Sequence, residues 1–204
     1  MKLLLTLAAL TLAGSPAIAA INKNPKILIV VAHPDDEYFM AASVYHLAKQ
    51  KNSIVDQIII TNGEGGFKYS GPAESIYGKK LSTEAIGRRE LPAIRKKETE
   101  AAGKILGIRK HIFLGQKDEN FNRDLEASLK GWDSKKVTSE IARQIRSEHY
   151  DYLFTLVPTS LTHGGHQAAA LLALQAVKQL ETKDRPVVLA AFTTTDRPMS
   201  TESD

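Results

Sequence analysis

The stretch KILIVVA, residues 26–32, is apolar without alternation. A strand with one wet face alternates apolar and polar residues, so an unbroken β-branched run reads as a strand covered on both faces. Helices packed above and below a mainly parallel sheet supply that cover. The rest of the chain keeps to this scheme. Strand-like runs follow at residues 54–61 (IVDQIIIT), 111–115 (HIFLG), 151–158 (DYLFTLVP) and 187–193 (VVLAAFT). Helical patterns lie at about 37–49, 86–106, 135–149 and 166–181. Strands alternating with helices predict an α/β fold, doubly wound, with a mainly parallel five-stranded sheet and helices on both faces. The expected strand order is 3-2-1-4-5, which makes strands one and four neighbours.

In such sheets, ligands bind beyond the carboxyl ends of the strands, where the strand order reverses. That places chemistry just after Ala32 and just after Pro158. Strand one runs into His33-Pro34-Asp35-Asp36-Glu37, and strand four runs into TSLTHGGHQ, with His163 and His166 three residues apart. Imidazoles and carboxylates without thiolates suit a catalytic zinc or a similar divalent ion. Each half also has an ordinary use. An Asp-Asp-Glu run at a helix start caps the helix and complements its dipole, and a single loop histidine is ordinarily a packing residue. The two segments at the ends of neighbouring strands favour a site.

Bulk properties narrow the class. The chain has 204 residues, 43% of them hydrophobic and 25% charged, as expected of a globular, soluble domain with its own core. The formal net charge of +4 is spread along the chain, and no basic stripe marks a nucleic-acid partner. No cysteine is present, which excludes disulfides and thiolate zinc sites. The first residues, MKLLLTLAALTLAGSPAIAA, have a basic start at Lys2, an apolar stretch from Leu3 to Ala13 and a small-residue run ending at Ala19. That is the layout of a cleavable signal over residues 1–19, cut near Ala19, which predicts a secreted or periplasmic protein. Cleavage removes Lys2 and no acid, and no later segment is apolar enough to remain as a stable membrane span. Residues 20–204 then form one domain. Two long connections, 62–85 and 116–134, interrupt it; loops of that length are usually functional or mobile.

AHPDDE, residues 32–37, resembles the signature of the LmbE-like, or PIG-L, family of metal-dependent N-deacetylases. TNGEGG (61–66), RKKETEAAGKILGI (95–108) and IFLGQKDENF (112–121) support the resemblance, which covers most of the mature chain. It implies a Rossmann-like fold. It implies His33, Asp36 and His166 as ligands of Zn2+ or another divalent metal, Asp35 as general base, and His163 as the group that holds the oxyanion or protonates the leaving amine. It also implies Arg95 as a substrate contact. Glu64 and Glu98, read from the sequence alone, are candidate polar contacts or structural partners. The implied partner is an N-acetylated sugar or glycoconjugate, N-acetylglucosamine-like, hydrolysed to acetate and a free amine. One departure stands out. The family's second motif usually reads His-x-Asp-His, and here Gly165 takes the place of the Asp, so a carboxylate that would orient an imidazole is missing. The chain also ends soon after the fifth strand, where many relatives continue.

Other residues carry weaker signals. Asp118 can bond a sugar hydroxyl or simply face solvent. Tyr69, Tyr77 and Trp132 lie on the long connections, where rings pack loops or stack on sugars. His46, His111 and His149 have no partner pattern and read as structural or exposed. A metal-containing glycan-binding protein without catalysis is the alternative that Gly165 favours. A nucleotide-binding module is disfavoured, because strand one ends in acids that repel phosphate rather than in a glycine-rich loop.

Overall fold

A computed structural model describes residues 24–119 and 121–192. The expected export segment and the C-terminal tail therefore lie outside the described residues. Five strands form the sheet: β1 (Lys26–Val31), β2 (Ile54–Thr61), β3 (Ile108–Gln116), β4 (Tyr152–Leu156) and β5 (Val187–Ala191). Their order is β3-β2-β1-β4-β5, and every neighbouring pair is parallel, as the sequence predicts. In register, Ile27 faces Val55 on one side and Tyr152 on the other.

The helices, in chain order, are α1 (Ala41–Tyr45), α2 (Glu74–Tyr77), α3 (Glu84–Leu106), α4 (Leu125–Gly131), α5 (Ser134–Glu148) and α6 (Gly164–Lys178). The run in β1 feeds two cores, one on each face of the sheet. Leu28 and Val30 join Ile58, Ile60, Val137, Ile141 and Leu172, which brings in α5 and α6. Ile27, Ile29 and Val31 point the other way, onto Val44, Met40 and Val55. Each such side chain contributes roughly 1.5–3 kcal/mol on burial. Helix starts are marked locally: Asp124 accepts from the Ala127 amide and Asp133 from the Lys136 amide, capping α4 and α5. On the outer face of β5, Val187 and Leu189 remain exposed.

The main difference from expectation lies after β1. The helix predicted over 37–49 is broken into a 3-10 segment (Asp36–Met40), α1, and a π segment (His46–Gln50). Asp36 does not cap this run; its carboxylate turns back to the amides of Ala32 and His33. The connection after β2 is also ordered, with 3-10 segments at Glu64–Tyr69 and Gly71–Ala73 ahead of α2. Phe67, Leu81 and Leu91 form a small core that fastens it to α3. It makes one wall of a cleft over the carboxyl ends of the strands. Among the described residues, no helix is long and apolar enough to cross a membrane.

Candidate metal centre

β1 ends in a turn that β2 holds in place. The Thr61 amide and hydroxyl both donate to the Ala32 carbonyl, at 2.8 and 2.9 Å. Asp36 Oδ2 then accepts from the amides of Ala32 at 3.1 Å and His33 at 2.8 Å. Its other oxygen, Oδ1, lies 3.0 Å from His166 Nε2 at the start of α6. His166 Nδ1 meets the Thr162 hydroxyl at 3.0 Å. With Nε2–H given to Asp36, Nδ1 accepts from Thr162; an ion at Nε2 would reverse the tautomer, and the same hydroxyl would then accept. His33 Nδ1 stands 3.4 Å from Asp36 Oδ2.

The imidazoles of His33, His163 and His166 converge, with ligand atoms all within 4.8 Å of one another. His33 stacks on His163 at 4.8 Å between centroids, and Phe121 lies flat on the far face of His163 at 5.2 Å and 6°. Three imidazoles with the buried Asp36 beside them are a nitrogen and oxygen donor set suited to a divalent ion. Burial works against charge on Asp36, yet His33 and His166 outweigh it and hold its carboxyl far below the usual carboxylate range. For His33, burial lowers the pKa while Asp36, Asp118 and Asp35 raise it, and the balance is upward.

Asp35 takes a different partner from Asp36. Its backbone is left-handed, with φ of 95°. Arg95, on α3, fixes it: Nη2 pairs with Asp35 Oδ2 at 2.6 Å and donates to the Pro34 carbonyl at 2.5 Å. Lost solvation pushes the Asp35 carboxyl up, Arg95 pulls it down, Asp36 adds to the push, and the result is raised. The side chain is 70% exposed, so water in the open cleft softens that push.

The structure thus brings together His33, Asp35, Asp36, His163, His166 and Arg95, all of which line a cleft of about 780 Å³. Glu64 does not line it. It is buried, and its Oε1 accepts from the Asp118 amide at 3.2 Å. Asp118, read from sequence as solvent-facing or sugar-bonding, is buried instead. Its Oδ2 accepts from the Gly65 amide at 3.1 Å, and its Oδ1 lies 3.8 Å from His33 Nε2. A side chain at Gly65 would displace Asp118, since a Cβ there would sit 2.7 Å from the Asp118 Cγ. The signal for Asp118 was the acid inside IFLGQKDENF together with the glycines of TNGEGG. Gly165 has a similar neighbourhood: a Cβ there would lie 3.1 Å from the His33 ring and 3.3 Å from His163 Nδ1. Trp132 belongs to the core, donating to the Lys117 carbonyl at 3.0 Å, whereas Tyr69 and Tyr77 line the cleft.

Fold and site together define a class: a doubly wound α/β domain carrying an imidazole and carboxylate centre where its strand order reverses. The family model described as PIG-L: GlcNAc-PI de-N-acetylase matches residues 28–177, and the chain belongs to that family. A protein of Bacillus cereus named Probable N-acetyl-alpha-D-glucosaminyl L-malate deacetylase 2 is 26% identical over 172 residues, which are 84% of this chain and 69% of that protein. The N,N'-diacetylchitobiose deacetylase of Pyrococcus horikoshii superposes with a TM-score of 0.57 at 24% identity, over 76% of this chain and 49% of its own. This chain therefore spans about half of that structure. The 4-carboxy-2-hydroxymuconate hydratase of Pseudomonas putida superposes almost as well, with a TM-score of 0.56 at 21% identity over 82% of this chain and 63% of that one. A fold that carries both deacetylases and a hydratase leaves the reaction to be argued from the site.

Proposed function

We propose that this protein is a zinc-dependent hydrolase that removes the N-acetyl group from an N-acetylglucosamine-type sugar, releasing acetate and a free amine. The observation that carries it is the separation of two adjacent carboxylates: Asp36 tied to the histidines, and Asp35 held by Arg95 toward the cleft. His33, Asp36 and His166 would hold the ion, with His163 in reach of the same centre. When bound, the ion supplies Lewis-acid polarisation and a water of lowered pKa. The chain's own residues do the rest. Asp35 accepts a proton from the attacking water, and Arg95 keeps its carboxylate aimed. His163 hydrogen-bonds the carbonyl oxygen as charge develops there, its ring plane set by Phe121. A proton then passes to the amide nitrogen, the C–N bond breaks, and acetate and amine leave.

The names of the relatives support the substrate class, and the Bacillus and Pyrococcus proteins share an N-acetylated sugar. Binding without turnover is the second reading. Gly165 favours it, and the Asp35–Arg95 pair counts against it. The test is acetate release by the full chain from N-acetylated sugars with added zinc, beside Asp35→Asn. Zinc-dependent release that Asp35→Asn abolishes is the expected result. A folded, metal-loaded protein that binds the sugars and releases nothing would replace this reading with the second.

We also place the activity outside the cytoplasm, on the strength of Lys2, the apolar run and the small residues before Ala20. A mature N-terminus at Ala20 in exported protein is the expected finding. Retention of Met1 in cytoplasmic protein would overturn it.

A further inference from the structure

Hydrolysis of an acetamide needs the histidines, Asp35 and a place for one sugar ring. The cleft offers more. Its volume of about 780 Å³ lies toward the upper end for sites that enclose drug-sized ligands. Its outer wall, built by the connection after β2, presents Tyr69 and Tyr77, and Tyr69 is 71% exposed. A polar line joins this wall to the reacting end. Tyr77 Oη donates to Glu98 Oε1 at 2.6 Å, Glu98 Oε2 lies 3.4 Å from Arg95 Nε, and Arg95 Nη2 meets Asp35.

Charge decides what this wall can accept. Among the described residues, Arg95 is the one lysine or arginine that lines the cleft. It is already engaged by Asp35, Glu98 and the Pro34 carbonyl. Asp35, Glu98 and Asp118 line the same space. Among the described residues, the cleft lining thus has ring faces and hydrogen-bond acceptors and no uncommitted lysine or arginine. Aromatic faces cover the C–H faces of pyranose rings, and carboxylates accept from sugar hydroxyls. An anionic aglycone would meet like charge without a partner to offset it.

We propose that Tyr69, Tyr77 and Glu98 form a second subsite that takes an uncharged sugar linked to the acetylated one, so that the cleft selects neutral N-acetylated oligosaccharides over anionic glycosides. This rests on the reading of the cleft as an N-acetyl-sugar site. The contrast is with the malate glycoside in the name of the Bacillus relative.

The experiment uses the full chain with zinc and four probes: N-acetylglucosamine, its β-1,4-linked disaccharide and trisaccharide, and N-acetylglucosaminyl malate. The expected kcat/KM rises about tenfold from the monosaccharide to the disaccharide, as one added stacked ring would give. The malate glycoside gains nothing over the monosaccharide. Tyr69→Ala lowers the disaccharide-to-monosaccharide ratio toward one. Calorimetric titration of Asp35→Asn with the same probes reads the preference without turnover. If affinity climbs with chain length while no probe releases acetate, the hydrolase reading fails and the subsite stands. If acetate is released but neither rate nor affinity rises with chain length, or if the malate glycoside leads, the subsite is wrong and the hydrolase stands. No binding and no turnover with any probe overturns both.

Discussion

Asp35 holds a left-handed backbone angle that most residues resist, and this decides how it should be tested. Asparagine and aspartate tolerate that region better than other side chains with a Cβ. Asp35→Asn should therefore keep the turn while removing the proposed base and its charge toward Arg95. Turnover is expected to drop by about 10²–10⁴-fold, the usual range for a general base, with little change in thermal midpoint. Asp35→Ala should lose as much activity and also melt earlier. Paired melting curves and acetate-release rates check both. Equal melting of the two variants would show that the backbone angle carries no strain. Gly65 makes a second case at this scale. Because a Cβ there would press on the Asp118 carboxylate, Gly65→Ala should move that carboxylate off His33. Zinc affinity, read by competition with a chelating dye, is expected to weaken by about 10–100-fold, as when a group behind a metal ligand is lost. Asp118→Asn should act in the same direction. The residues that converge from the β1 and β4 ends were legible in the sequence because residue type and strand-end position coincide. The burial of Asp118 was not, because it depends on Gly65, 53 residues away.

At the scale of elements, β2, β3 and α5 are tied together far from the cleft by one buried acid. Asp56, fully buried in β2, accepts from Arg109 at 2.9 and 2.5 Å and from the Tyr150 hydroxyl at 2.5 Å. Glu148, at the end of α5, answers the same Arg109 and also Lys110. Removing one partner of a buried ion pair strands the others. Asp56→Ala should cost about 3 kcal/mol, the lower end of that range because Arg109 is partly exposed. Denaturant unfolding measures the loss, while kcat of the folded protein should hold. The cluster also sets an acid limit. Lys110 and Arg109 hold the Glu148 carboxyl down at about 2, from an ordinary value of 4.5. A depressed acid stabilises the fold above its unfolded pKa and loses that contribution as pH falls through its folded one. Melting temperature should thus decline between pH 4.5 and about 2, and Glu148→Gln should flatten that decline. None of this network was visible in the sequence, where Asp56 interrupts an apolar strand and Arg109 and Lys110 look like ordinary surface charge. Strand order was legible, since unbroken apolar runs and intervening helices leave few topologies. The broken helix after β1 was not, because its apolar spacing is the same for α, 3-10 and π turns over so short a stretch.

For the whole molecule, the centre joins two segments that the unfolded chain keeps far apart, the end of β1 and the start of α6. The sequence could place both beside the point where strand order reverses, since that depends on topology alone. The cleft wall was hidden, because residues 62–83 become a wall only when Phe67 and Leu81 pack on α3. An ion held by His33, Asp36 and His166, as proposed, would bind the folded chain and find no such site in the unfolded one, so it would stabilise the fold by mass action. Free zinc at a hundred times its dissociation constant should add about 2.7 kcal/mol. For a domain of this size, that is a rise of roughly 5–10 °C in melting temperature, reversed by a chelator together with acetate release. Variants separate the roles. His166→Ala and Asp36→Ala should lose the zinc-dependent rise, whereas Asp35→Asn should keep it in full while losing most of its turnover. His163→Ala is the informative one, because its imidazole converges with the other two. A retained rise with turnover lost would place His163 at the reacting oxygen; a lost rise would make it the third imidazole ligand and leave Asp36 to orient His33 and His166 from behind.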